Sequence, residues 1–89
     1  MSDTKIRFGT TTIPATGSVI VVSGYLDIVE GTLVAHPSNS GIIYVKNTGD
    51  TGEGLPLAAG ASFSIGRANL AEFTVSGAVN NRLVWGYHQ

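Results

Sequence analysis

The sequence contains no cysteine, which excludes a small secreted fold held together by disulfides and any zinc site built from thiolates. It has no apolar run of about 18 residues, the length that a membrane-spanning helix needs. It also lacks the charged and then apolar leader that directs secretion. We therefore expect a chain that neither inserts into a membrane nor carries a signal peptide, and whose core depends on packing alone.

Charged residues are scarce as well. Five basic and six acidic side chains make up 12% of the 89 residues and leave a formal net charge of −1, where a charged share of about 25% is usual. The basic residues are scattered singly, so the positive stripe that nucleic-acid binding requires is missing. Because a weakly charged surface gives little solubility by repulsion, we interpret the composition as a sign that other protein covers part of this surface.

What the sequence has in abundance is alternation of apolar and polar residues, the pattern of a half-buried β-strand. The segment "RLVWGYH" at 82–88 alternates in this way, and "KIRFG" places Ile6 and Phe8 on a face that we expect to point inward. The continuous β-branched run at 19–22 predicts a strand covered on both faces. Gly31 predicts a bulge or bend between two short strands.

Turn-forming residues separate these segments. Gly, Pro, Asn and Asp cluster in "HPSNSG", "NTGDTGEG" and "VNN", where they supply the positive φ angles and preset turns that reverse a chain. No stretch of ten or more residues has a helical period, and only "GRANLAEF" is compatible with a single helical turn. We therefore predict an all-β domain of seven to eight short strands, folded as a small antiparallel β-sandwich or barrel of the jelly-roll or immunoglobulin-like type.

The start of the chain is expected to behave differently from the rest. Residues 1–12 are polar and rich in threonine around two apolar side chains, so we predict an N-terminal arm at 1–12 that pairs with a neighbouring molecule, and a single β-domain at 13–89. The residues expected at this interface are Ile6, Phe8, Thr10, Thr11 and Thr12.

The stretch "GLPLAAGASFSI", residues 54–65, carries no acid, base or metal ligand. Its proline fixes its own φ angle, and its last glycine can adopt a positive φ before the next strand begins. We predict a corner between two strands, with Leu55 and Leu57 packed beneath it and stabilising it by about 1.5–3 kcal/mol each when fully buried. The strand that follows is expected to bury Phe63 and Ile65.

Several short matches to catalytic or binding motifs are interpreted as ordinary loop sequence. "DTG" at 50–52 is the tripeptide of aspartic proteases, but glycines surround it where an apolar strand would be needed. "GDTGEG" has glycines at loose phosphate-loop spacing without a following helix. Asp50 and Glu53 supply two carboxylates, where calcium takes about six to eight oxygens. His36 and His88 are far apart without a third ligand. We predict no catalytic residue, no cofactor and no metal site.

A resemblance rests on three segments, "GIIYVKNTG", "GLPLAAGASFSI" and "NLAEFTVSGAVNNRLVWGY". They give, in order, a strand with tyrosine, a glycine-rich loop, a Pro-Leu-Ala corner, an Asn-Leu lead and a final tryptophan strand. Over residues 32–87 the chain thereby resembles small virion proteins of tailed bacteriophages. The resemblance implies a β-structured, enzymatically inert protein that serves as head decoration, cement or a fibre component. The extra "GRA" before Asn69 departs from the pattern, and because every motif is architectural no binding residue is carried over.

The first hypothesis for function is therefore a non-enzymatic capsid decoration or cement subunit that stabilises the head lattice. It would be made in the host cytoplasm and located on the capsid surface of the virion. Its partners would be the major capsid protein and further copies of itself, with a trimer favoured, and would include neither nucleic acid nor a membrane.

The alternative hypothesis is a fibre- or tail-associated module that binds a glycan on the host surface. Its binding platform would consist of aromatic side chains that stack on a sugar ring, which are Tyr25, Tyr44, Trp85 and Tyr87. A tryptophan in so small a β-domain more often packs the core.

Overall fold

Antiparallel strands dominate the computed structural model, which describes residues 6–89. In this part of the chain the strands are β1 (Arg7–Thr12), β2 (Ser18–Ile20), β3 (Asp27–Ile28), β4 (Glu30–Ala35), β5 (Ile43–Asn47), β6 (Leu55–Leu57), β7 (Ser62–Ile65), β8 (Ala68–Asn69), β9 (Phe73–Ser76) and β10 (Arg82–His88), with one turn of 3₁₀ helix at Leu70–Glu72. No helix among these residues is long and apolar enough to cross a membrane.

The strands form two four-stranded sheets and one short ribbon. Sheet A has the order β1-β10-β4-β7, sheet B has the order β2-β9-β5-β6, and β3 pairs with β8. Every strand pair in the described residues is antiparallel. The all-β antiparallel sandwich predicted from the alternating pattern is confirmed. The strand number exceeds the prediction because β3 and β8 are two-residue bridges that no sequence period could reveal.

The core lies between the inner faces of sheets A and B. Leu33 and Leu83 face inward from sheet A, Ile43 and Val75 face inward from sheet B, and Ile13 fills the space beside them; each is at most 2% exposed. The alternation of apolar and polar residues in the sequence therefore corresponds to inner and outer positions in both sheets, because successive side chains of a strand point to opposite faces.

The corner predicted at 54–65 is present and connects the two sheets at one side of the sandwich. It joins β6 at the edge of sheet B to β7 at the edge of sheet A, and Gly60 in the turn has a φ of 84°, a conformation that favours glycine. Leu57 is buried at 4% exposure, as predicted. Leu55 and Phe63 were expected to be buried, but they are 36% and 43% exposed, because the sheets do not close over these two edge strands.

Two strand predictions are wrong in detail. The run at 19–22 is not a strand covered on both faces: β2 ends at Ile20, whose side chain is 47% exposed, because β2 is an edge strand that pairs only with β9. The break that we expected at Gly31 lies instead between β3 and β4, at residue 29. Gly31 itself is inside β4, where a Cβ would lie 2.7 Å from the carbonyl oxygen of Gly86. The glycine therefore allows the backbones of β4 and β10 to approach each other closely.

The inward direction predicted for Ile6 and Phe8 is also wrong, since these side chains are 61% and 75% exposed. The other face of β1 points inward and carries Gly9 and Thr11. Residues 7–12 of the predicted arm pair with β10 of the same chain over six residues, so in this single chain they form an edge strand of sheet A. Residues 1–5 of the arm lie outside the described residues.

Candidate interaction surfaces

Alternate residues of sheet A point away from sheet B and form a surface that we call the open face. Register places Phe8, Gly86, Thr32 and Ser64 in one row across β1, β10, β4 and β7, and Thr10, Val84, Val34 and Ser62 in the next row. Both rows are uncharged. Charges occur only at the strand ends, where Arg82 lies at one end of the face and Glu30 and His88 lie at the other.

Phe8 is the large apolar residue of the open face, and its side chain is 75% exposed. Its ring lies against β10 at Gly86, since a Cβ built on Gly86 would be 3.1 Å from two ring carbons of Phe8. The reciprocal contact exists on the inner face, where the ring of Trp85 covers Gly9, its partner in the β1–β10 register. Two aromatic rings thus cover two glycines of neighbouring strands, one on each side of sheet A.

Thr11 is held on the inner face of sheet A by hydrogen bonds of its hydroxyl group. The indole Nε1 of Trp85 donates to Thr11 Oγ1 at 2.9 Å, and this hydroxyl donates to the carbonyl oxygen of Val21. Thr11 is 8% exposed. Of the five residues predicted for an interface, Ile6, Phe8, Thr10 and Thr12 are exposed, whereas Thr11 faces the core and its hydroxyl is already bonded within the chain.

The four aromatic residues of the predicted glycan platform do not share one surface. Trp85 and Tyr87 are neighbours, with ring centroids 5.7 Å apart and planes tilted by 32°, but they lie on the inner face of sheet A, and Tyr87 is 8% exposed. Tyr44 lies on the outer face of sheet B, opposite Ser76 in the register. Tyr25 is 75% exposed just before β3. Trp85 packs against the hydrophobic core.

Tyr25 is bonded to a carboxylate close by in sequence. Its hydroxyl donates to Asp27 Oδ2. This hydrogen bond, together with the negative charge of Asp27, raises the pKa of Tyr25 above the ordinary tyrosine value, because both favour the protonated phenol. The contact is therefore present below the ordinary tyrosine pKa and is lost as the pH rises through the raised one.

We expect Asp27→Asn to lower the pKa of Tyr25 towards the ordinary value, because the amide keeps a hydrogen-bond acceptor but carries no charge. The measurement is a titration of tyrosinate absorbance, in which the contribution of Tyr25 is isolated by subtracting the curve of Tyr25→Phe. Glu30→Gln, on the far side of the β3–β4 break, serves as the matched control and should leave the curve unchanged. An identical Tyr25 titration in Asp27→Asn would contradict this prediction.

A cleft of about 300 Å³ opens between the two sheets on the side where the corner crosses. Leu33, Phe63 and Ile65 line it from sheet A, and Val45 and Phe73 line it from sheet B. Its wall is apolar because inner-face side chains remain uncovered where β6 and β7 are short edge strands. The end of β5 and the following loop contribute the rim, through Lys46, Asn47, Asp50 and Gly54. Lys46 Nζ donates to the carbonyl oxygens of Asp50 and Gly52.

The polar residues considered for chemistry lie in separate places. Asp50 and Glu53 are exposed in the loop before β6, and the described residues contain no group of three side chains that could hold a metal ion. His88 Nε2 lies 3.0 Å from Glu30 Oε1, which is the only contact within 4 Å between a basic side-chain nitrogen and a carboxylate oxygen among residues 6–89. The backbone of Asp50 closes its loop: its amide donates to the carbonyl oxygen of Asn47, and its own carbonyl oxygen accepts from Lys46 Nζ.

A polar network that sequence reasoning did not find surrounds Arg82. Ser38 Oγ lies 2.8 Å from His36 Nδ1 and accepts from Arg82 Nη2 at 3.1 Å. Asn39 donates to the carbonyl oxygen of Arg82 and accepts from its backbone nitrogen. Since the amide of Ser38 also donates to His36 Nδ1, these contacts hold the 36–40 turn against β10 and orient Arg82. The polar composition of "HPSNSG" was the available signal, but it does not specify a partner 43 residues away.

Comparison with known proteins supports the fold but identifies no family. No family model matches the chain, and no curated protein is similar to it in sequence. The structure is similar to a cupin-2 domain containing protein from Shewanella frigidimarina NCIMB 400, with a TM-score of 0.54 and 10% identity over 100% of this chain and 74% of that one. A protein of Bacillus endospore appendages, which form disulfide-linked pili, gives a TM-score of 0.48 and 17% identity over 98% of this chain and 91% of that one. The first likeness supports the β-sandwich fold.

Proposed function

We propose that this chain is a non-enzymatic structural subunit of a bacteriophage virion that decorates or cements the capsid surface. The observation that carries the proposal is the exposure of nine bulky apolar side chains among residues 6–89 in a protein with only 12% charged residues. Such side chains occur on the open face, on the outer face of sheet B at Ile20, and in the β9–β10 turn at Val79. Exposed apolar groups on more than one side suit a subunit with more than one protein neighbour.

The geometry supports the mode of action. A cement subunit stabilises a lattice by the sum of many contacts, and a sheet face whose side chains are hydroxyl, aliphatic and aromatic can approach another protein surface without burying charge. The two central rows of the open face meet this requirement. The partners that we propose are the major capsid protein and further copies of this chain.

Capsids purified with and without this chain test the proposal. We expect the capsids that carry the chain to withstand a higher temperature and a lower ionic strength before they release their contents, and we expect the gain to reach a plateau at a fixed ratio of chain to capsid protein. An equal mass of albumin is the control for nonspecific protection. Equal resistance with and without the chain would show that it is not a cement protein.

A further inference from the structure

The open face has opposite charges at its two ends. Arg82 and His88 are the end residues of β10 on this face, and register places Glu30 beside His88. Six residues of a strand separate the two ends, which is roughly 20 Å. Glu30 is 72% exposed at its side chain, where it contacts His88 Nε2, and no carboxylate oxygen of residues 6–89 lies within 4 Å of Arg82.

A charge pattern of this kind selects one arrangement of two identical faces. When two copies pack face to face, a two-fold axis parallel to the strands would place Arg82 against Arg82 of the partner subunit. A two-fold axis across the strands would place Arg82 opposite His88 of the partner subunit and one strand spacing, about 5 Å, from Glu30 of the partner subunit. It would do so twice because the contact is isologous. Opposite charges favour the second arrangement, since like charges at an interface cost free energy.

The uncharged rows fit the same arrangement. The axis across the strands passes between the row of Val84 and Val34 and the row of Gly86 and Thr32. Each row then faces the other row of the partner, so Val84 is opposite Gly86 of the partner subunit and the Phe8 ring that lies against it, and Val34 is opposite a threonine. These groups are aliphatic, aromatic or hydroxyl, so the centre of the interface buries no charge.

We propose that the open face binds a second copy of this chain in a two-fold pair whose strands run antiparallel across the interface, with Arg82 of each copy beside Glu30 of the other. This inference deepens the proposed function by assigning one of its contacts, the contact between copies. A two-fold contact closes after two copies, so the pair replaces the trimer as the state that we expect of the isolated protein.

Charge reversal tests the arrangement, with the mass of the purified 89-residue chain in solution as the measurement. We expect the wild-type chain to form a dimer by light scattering and sedimentation velocity. Glu30→Arg and Arg82→Glu should each raise the dimer dissociation constant about tenfold or more, since each juxtaposes like charges. The double variant Glu30→Arg/Arg82→Glu should restore the dimer, because it exchanges the two charges across the interface.

The restoration is the decisive readout. Arg82→Glu also removes the bond from Arg82 Nη2 to Ser38 Oγ, but Glu30 of the same chain is roughly 20 Å away, so its change cannot repair that bond. Arg67→Glu reverses the charge of an exposed side chain outside the open face. It is the control and should leave the dimer intact. A monomeric or trimeric wild-type chain, or a double variant as weak as the single ones, would overturn the inference. Because no capsid is present, a dimer that fails to protect capsids would contradict only the proposed function.

Discussion

We expect Gly9→Ala to destabilise the domain by about 3 kcal/mol, the scale of losing a well-packed aromatic side chain or of forcing an extra methyl into a packed core. A Cβ at this position would lie 2.1 Å from a ring carbon of Trp85, so the indole must leave its place. It would then lose both its packing and its hydrogen bond to Thr11. For a domain of this size the loss corresponds to a fall of roughly 12–24 °C in Tm.

The experiment has a built-in probe and a matched control. Trp85 is the single tryptophan of the chain, so its fluorescence emission maximum should lie at a longer wavelength in Gly9→Ala than in the wild-type protein. Gly41→Ala is the same substitution at a position where nothing lies within 4 Å of the new Cβ, and it should change neither Tm nor emission. A Gly9→Ala protein with wild-type Tm and emission would show that the indole does not cover Gly9 in solution.

The fold class was predictable because the information is local. Alternation over four to seven residues specifies which side chains of a strand share a face, and glycine, proline and asparagine specify where the chain turns. The β6–β7 corner shows this well: a proline, two alanines and Gly60 within one short segment were enough to predict it, and Gly60 has the positive φ angle that was expected.

The direction of β1 was not predictable from its own residues. Ile6 and Phe8 are the bulky apolar side chains of "KIRFG", so a local pattern places them inside. The inner position is instead taken by Gly9, because the ring of Trp85, a residue 76 positions later, fills the space above it. A contact over that distance has no signal in a single sequence, and the glycine that permits it reads only as a weak strand residue.

The same limit explains why the candidate surfaces changed. The residues predicted for an interface were a continuous segment, whereas the open face consists of alternate residues from four strands whose register only the fold defines. Arg82 and Glu30, 52 positions apart in sequence, received no role from sequence reasoning. Their relation becomes visible once β4 and β10 are neighbours in one sheet.

Leu83 gives the second large effect that we expect. It is the second residue of β10, between Thr11 of β1 and Ala35 of β4 in the register, and its side chain is fully buried. Unlike Leu33, which lines the open cleft, it does not border that cleft. Water from the cleft therefore has no direct access to a cavity left at this position.

We expect Leu83→Ala to lower the free energy of unfolding by about 2–5 kcal/mol, the sum of lost apolar transfer and an unfilled cavity. Since a domain of this size has a total stability of about 5–15 kcal/mol, a large part of the population should be unfolded in mild denaturant. Urea unfolding followed by circular dichroism measures the change, and Ile20→Ala, an apolar truncation at a 47% exposed edge position, should cost less than about 1 kcal/mol. Equal losses for the two variants would mean that Leu83 is not at the centre of the core, because only a buried side chain leaves a cavity when it is truncated.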